Sequence, residues 1–288
     1  MTVGPLPFAH LDRMELDRQL SPSRSAKDPG GVLERHAAIG ASLLSNVVLS
    51  VRRDLPYGPR PRQALDLFVP VTTAPSPCLV YFHGGFWQEG SRSTSGFAVP
   101  ALSTLGCAVA AVGYTLAPDA RIRAIVDEAA AALLYLRQHA ARFGLDPDRL
   151  LVGGHSAGAH LAAALLAGQG GTAALAAVAG ALLISGVYDL APVAASYVND
   201  LAGLDAAEIR ECSPLYAVPG RNVPVHLVVG ADEPDAFRQQ FDALGDAWRP
   251  HLTRLTQHCA PTRDHFDVLD ELADVSSPTC RALEEMLT

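Results

Sequence analysis

Apolar positions along the chain fall into two patterns. Short, nearly continuous runs rich in Val and Leu alternate with longer stretches whose apolar residues recur at helical spacing. The runs predict strands over Val47–Arg53, Ala64–Val69, Cys78–Phe82, Cys107–Gly113, Leu150–Gly153, Ala181–Ser185, Val223–Val229 and His251–Gln257. The periodic stretches predict helices over Val32–Leu44, Gly96–Leu105, Ile122–Phe143, Ala157–Ala167, Asp205–Cys212, Asp235–Trp248 and Pro278–Leu287. In the helix from Ile122, residues Ile122, Ile125, Val126, Ala129, Leu133 and Leu136 share one face, and Gly144 offers a C-terminal stop.

Eight strands with helices between the later ones predict an α/β fold, a mostly parallel, doubly wound sheet. Right-handed crossovers would put helices on both faces. The first two strands are joined through Pro56, Gly58, Pro59 and Pro61, which suits an antiparallel start. Pro70–Pro77 is too short to separate domains, so residues 1–288 read as one domain. Residues 1–45 read as a polar lead-in with one helix, which either caps a site or packs on the sheet's edge.

Charge distribution adds one complication. No charged side chain occurs from Ser93 to Pro118 or from Ala157 to Tyr188. Each stretch exceeds the ~20 apolar residues that span a bilayer. However, Pro100, Gly106 and Gly113 break the first, and Gly168–Thr172 breaks the second. Helix followed by buried strand explains both, and no membrane association is expected. Hydrophobic residues make up 49% of the chain, which rules out disorder. A net charge of −8 argues against nucleic acid as a partner. The N-terminus carries Asp12, Arg13, Glu15, Asp17 and Arg18 with no apolar run before them, unlike a signal peptide. Five scattered cysteines, without any C-x-x-C pair, suggest neither a disulfide framework nor a metal site, so a cytoplasmic location is expected.

The sharpest chemical signal is Gly154-His155-Ser156-Ala157-Gly158, which fits G-x-S-x-G. It joins a predicted strand to a predicted helix. That is the context of a nucleophile elbow, a tight turn that exposes a serine hydroxyl at a helix N-terminus. The second signal is His83-Gly84-Gly85-Phe86-Trp87, directly after a strand. Glycines there let backbone N–H groups face a cavity and stabilise an oxyanion. A plain Gly-Gly turn would use the same residues, but the elbow downstream favours the functional reading. The expected donors are the N–H groups of Gly84, Gly85 and Ala157. Phe86, Trp87 and His155 are the expected substrate contacts.

A serine nucleophile needs a base and a group to orient it. Asp232, Glu233 and Asp235 follow the strand Val223–Val229, and Asp232 sits closest to its end. Asp232 is therefore the expected acid, with Glu233 and Asp235 as alternatives. His265 follows the last strand and is the expected base. His258, the rival, falls within or at the end of that strand.

These residues resemble the α/β-hydrolase fold and, within it, the kynurenine formamidase (arylformamidase) branch near the hormone-sensitive-lipase-type esterases. Leu16–Arg24 is similar to that branch's L-x-R-x-Y-S-P-S-R stretch, and His83–Gln88 to its H-G-G-[YF]-W-Q loop. Tyr114–Pro118, Gly154–Leu161, Ser185–Leu190 and Asp264–Phe266 match as well. The branch's acid segment resembles G-x-E-x-x-E-F-x-x-Q; here Asp232 stands where the glutamate is expected, and the local spacing is one residue longer. The resemblance implies a serine hydrolase that removes a small acyl group through an acyl-enzyme, with N-formylkynurenine as the small-molecule substrate. A carboxylesterase for small esters would use the same triad. A binding protein that has lost catalysis would show a broken one. No metal or cofactor is implied. The oligomeric state is not readable, and a homodimer stays open.

Overall fold

The computed structural model describes residues 6–43 and 48–287. Its eight strands are β1 (Leu49–Pro56), β2 (Ala64–Pro70), β3 (Ser76–Phe82), β4 (Ala108–Val112), β5 (Leu145–His155), β6 (Gly180–Ile184), β7 (Val225–Gly230) and β8 (Leu255–Ala260). They form one sheet in the order β1-β2-β4-β3-β5-β6-β7-β8. β2 pairs antiparallel with both β1 and β4, and every later pairing is parallel. All eight predicted strands are present, shifted by a few residues. Val47 and Leu44, the expected start of the first strand and end of the lead-in helix, lie outside the described residues.

The principal helices are α1 (Arg13–Gln19), α2 (Pro29–Ser42), α3 (Ile122–Gln138), α4 (Ala157–Leu166), α5 (Asp235–Trp248) and α6 (Pro278–Leu287). α3 ends earlier than its periodicity suggests. His139 leaves helical geometry, and a separate turn, Ala140–Phe143, closes on left-handed Gly144. The expected helix Gly96–Leu105 is split into a 3-10 segment, Arg92–Ala98, and a short α-helix, Val99–Thr104.

Alternation along the strands separates two cores. Cys78, Val80 and Phe82 of β3 join residues of α3, α4 and α5 on one face. Leu79 and Tyr81 join Phe97, Leu102, Leu283 and Leu287 on the other. Helices therefore cover both faces, which is why the central strands have no polar side. Among the described residues, no helix is long and apolar enough to cross a membrane. The uncharged stretch from Ala157 holds α4, a short helix Thr172–Ala177 and β6, and α4 and β6 are buried in the core while the turn between α4 and the short helix is not.

Candidate active site

The G-x-S-x-G segment makes the turn its spacing predicts. β5 ends at His155, α4 begins at Ala157, and Ser156 between them has φ 54°. A non-glycine residue in that region is strained by about 1–3 kcal/mol and persists only where the surroundings enforce it. Close packing enforces it here. A Cβ on Gly158 would lie 1.9 Å from the Phe82 carbonyl oxygen, so only glycine lets the new helix approach β3. Ala157 is the first residue of α4, and its N–H is among those a helix leaves free.

The His83–Trp87 loop faces this turn. A Cβ on Gly84 would come within 2.9 Å of His155 Nδ1 and 3.3 Å of Ser156 Cβ. Gly85, Phe86 and Trp87 have φ of 112°, 46° and 60° in succession. This reversal turns Gly84, Gly85 and Phe86 toward a cavity of about 240 Å³ that Ser156, His155 and His265 also line. Trp87 goes the other way. It is fully buried in the core, edge-on to His160 at 5.0 Å, and does not line the cavity, so the expectation of a substrate contact there is corrected. The run of positive φ values rotates adjacent side chains to opposite sides, which the sequence does not signal.

His265 lies in the loop after β8 with its side chain buried. Its Nδ1 is 2.6 Å from Glu233 Oε2. The acid that holds the histidine is therefore Glu233, not Asp232. β7 ends at Gly230, and a turn closed by Glu233 N–H to the Gly230 carbonyl (3.2 Å) folds Glu233 back under the strand. There Glu233 Oε1 accepts from Gly230 N–H at 2.6 Å and from Ser185 Oγ at 2.5 Å. The turn sends Asp232 outward. Its side chain is 49% exposed, against 0% for Glu233, and it pairs with Lys27 Nζ at 3.1 Å. The extra residue of spacing noted in the sequence is absorbed by this turn. Asp235 opens α5 and pairs with Arg238. His258 stays within β8 and bonds Glu271.

Several residues hold this arrangement without being conspicuous in the sequence. Ser185, just past β6, has φ 52° and presents its hydroxyl to Glu233. His155 donates from Nε2 to the His265 carbonyl at 2.7 Å, so the residue before Ser156 anchors the loop that carries His265. Burial, reinforced by His265, pushes its pKa well below the ordinary value and keeps it neutral. Asp264 accepts the N–H groups of Phe266 (2.9 Å), Asp267 (3.1 Å) and Lys27 (2.9 Å). Lys27 thereby ties the N-terminal segment to both loops, and Pro22, Ser23, Leu33 and His36 of that segment line the cavity. His36 stacks on Phe97 at 4.1 Å and bonds Asp270 at 3.1 Å. None of these N-terminal contacts was legible, because they depend on where the segment docks. Among the described residues no His, Cys, Asp and Glu group has a metal-binding arrangement.

This geometry can be set beside known proteins. A family profile described as alpha/beta hydrolase fold matches residues 79–266. A kynurenine formamidase of Salmo salar is 31% identical over 283 residues, covering 92% of each chain. A shorter match, 36% identical over 120 residues, is to a probable isoprenylcysteine alpha-carbonyl methylesterase of Arabidopsis thaliana, covering 41% of this chain and 25% of that protein. Among solved structures, a candidate thioesterase from Silicibacter sp. TM1040 superposes with a TM-score of 0.83 at 27% identity, covering 95% of this chain and 98% of that one.

Proposed function

The chain belongs to the α/β-hydrolase family, in its formamidase-like branch, and from that premise we propose that it is a serine hydrolase that removes formyl groups from aryl amides such as N-formylkynurenine. The observation that carries this reading is the buried His265–Glu233 hydrogen bond, in a cavity shared with a serine on a strained strand-to-helix turn. A carboxylate on Nδ1 fixes the tautomer and leaves Nε2 as a base.

In this mechanism His265 Nε2 takes the Ser156 hydroxyl proton as Oγ attacks the formyl carbon. Glu233 stabilises the imidazolium that results. The N–H groups of Gly84, Gly85 and Ala157 stabilise the oxyanion; one such donor is typically worth about 2.7–4 kcal/mol of barrier. His265 then gives its proton to the departing aryl nitrogen, which leaves as the amine. A formyl ester remains on Ser156. Water, deprotonated by His265, cleaves it to formate and restores the hydroxyl. Phe86 and Phe266 line the cavity and offer faces for an aryl leaving group. The N-terminal segment acts as a cap.

The second reading is a carboxylesterase for small esters, favoured by the methylesterase match. Both use the same residues. The test is turnover of formanilide, N-formylkynurenine and p-nitrophenyl esters of graded acyl length. The formamidase reading expects kcat/KM to be highest for the formyl amides. A preference for acetyl or longer esters, with formamides inert, would replace it with the esterase reading.

A further inference from the structure

The His83–Gly90 loop is braced from behind by a buried tyrosine. Tyr114 lies just past β4 and is fully buried. Its ring stacks on the His83 imidazole, with centroids 4.2 Å apart and planes 13° from parallel. Its hydroxyl donates to the His83 carbonyl at 2.7 Å. Burial pushes its pKa up, so the phenol keeps the proton it donates. The stacked imidazole repeats the device one residue on. His83 Nδ1 lies 2.8 Å from the Gly84 carbonyl, which only accepts, so Nδ1 carries the proton. Gly90 closes over this bond: a Cβ there would lie 2.6 Å from the Gly84 oxygen and 2.7 Å from His83 Nδ1. Arg62 ties the brace to the end of the loop, donating to the carbonyls of Tyr114 (2.9 Å) and Gly90 (2.7 Å).

The two carbonyls held in this way belong to the same peptide units as two N–H groups at the cavity. The peptides on either side of Gly84 are trans and planar. The His83 C=O and the Gly84 N–H therefore point to opposite sides of one rigid unit, and so do the Gly84 C=O and the Gly85 N–H. A bond held at the carbonyl fixes the direction of the N–H. It also polarises the unit and makes the N–H a stronger donor. Among the described residues neither N–H has a hydrogen-bond acceptor, and both glycines line the cavity with Ser156. Glycine backbone is otherwise free to take many conformations, so a donor geometry here needs such a brace.

We propose that Tyr114 is a positioning residue for the hydrolytic reaction, acting through His83. Its hydroxyl sets the plane of the His83–Gly84 peptide, and its ring holds the imidazole that sets the Gly84–Gly85 peptide. Both N–H groups then face the oxyanion before it forms, and no reorganisation is left to the transition state. The role deepens the serine-hydrolase reading and rests on it.

The test compares two tyrosines that each donate to one backbone carbonyl. Tyr114→Phe keeps the stacked ring and loses only the hydroxyl. Tyr57→Phe loses a bond to the Gly113 carbonyl (2.5 Å), beside Tyr114 but away from the two peptides. With formanilide and p-nitrophenyl acetate as substrates, Tyr114→Phe is expected to lower kcat about tenfold with KM little altered. It should weaken an aryl trifluoromethyl ketone, which adds to the serine as a tetrahedral oxyanion, by about the same factor. Tyr57→Phe should leave both quantities within about twofold. His83-Gly84 is the only His-Gly pair in the sequence, so carbonyl-13C histidine combined with 15N glycine isolates this one peptide in NMR spectra. Its amide proton and its carbonyl carbon should both move downfield when the ketone adds to the unaltered protein, a measurement that needs no variant to fold. An unmoved signal, an unchanged kcat in Tyr114→Phe, or equal losses in the two variants would overturn the role. If only the ester is turned over, the formamidase reading falls while a Tyr114→Phe loss on the ester upholds the role; absence of both turnover and a ketone adduct overturns both.

Discussion

Two adjacent acids carry opposite fates in this chain, and the difference is one of burial. Glu233 has three hydrogen-bond donors and no exposed side chain; Asp232 is half-exposed and pairs with Lys27. Glu233→Gln should therefore lower kcat by roughly three to four orders of magnitude, the effect expected when the orienting carboxylate is lost. Asp232→Asn should change kcat less than about threefold, since an exposed ion pair contributes about 0–1 kcal/mol. Steady-state kinetics of the two variants on one substrate decide the point. Ser185→Ala removes one hydrogen bond from the buried carboxylate and should lower kcat about tenfold with KM little altered. An unchanged kcat would mean that Ser185 does not help to position Glu233. Sequence order named the segment that holds the acid but not which of its carboxylates turns inward. That choice is made by the Gly230–Glu233 turn, and nothing in the residues Gly230-Ala231-Asp232-Glu233 states its direction. Trp87 failed for the same reason. A large aromatic in the Gly84-Gly85 loop beside Ser156 looks like a binding residue until three successive positive φ values put it in the core.

At the scale of elements, buried strands and amphipathic helices were the most legible features, because their patterns follow directly from which face meets the core. α5 and α6 occupy the predicted ranges Asp235–Trp248 and Pro278–Leu287. The helix α1 was not anticipated, since only Leu16 and Gln19 of its seven residues are buried and no apolar stripe marks it. The strand–elbow–helix unit was legible because its small residues are required by contact. Gly158→Ala would drive a Cβ into the Phe82 backbone carbonyl, which cannot swing away as a side chain could. We expect a loss of about 3 kcal/mol or more, read as a lower midpoint in urea denaturation. A midpoint equal to that of the unaltered protein would show that α4 and β3 can separate without cost.

For the whole molecule, the buried histidines link stability to pH. Desolvation holds His83, His160 and His226 each at about 4, against an ordinary value near 6.5. Above pH 6.5 both the native and unfolded chains have these rings neutral, and no stability depends on them. Below it the unfolded chain takes up protons that the native chain refuses, so stability falls between about pH 6.5 and 4 and then levels off. The loss is on the order of 3 kcal/mol for a fully buried ring. Melting temperature should therefore fall steeply from pH 7 to 5. It should fall less steeply in His160→Gln, whose amide can still donate to the Cys212 carbonyl. Equal slopes would show that His160 is protonated as readily in the native state as in the unfolded chain.

The central claim is that Ser156 is a nucleophile activated by His265 and Glu233. Reaction with a fluorophosphonate, followed by peptide mass spectrometry, tests it most directly. The account predicts one covalent adduct, on the peptide carrying Ser156, formed much more slowly in Glu233→Gln and absent, together with all turnover, in Ser156→Ala. An adduct on another residue, or hydrolysis that persists in Ser156→Ala, would contradict it.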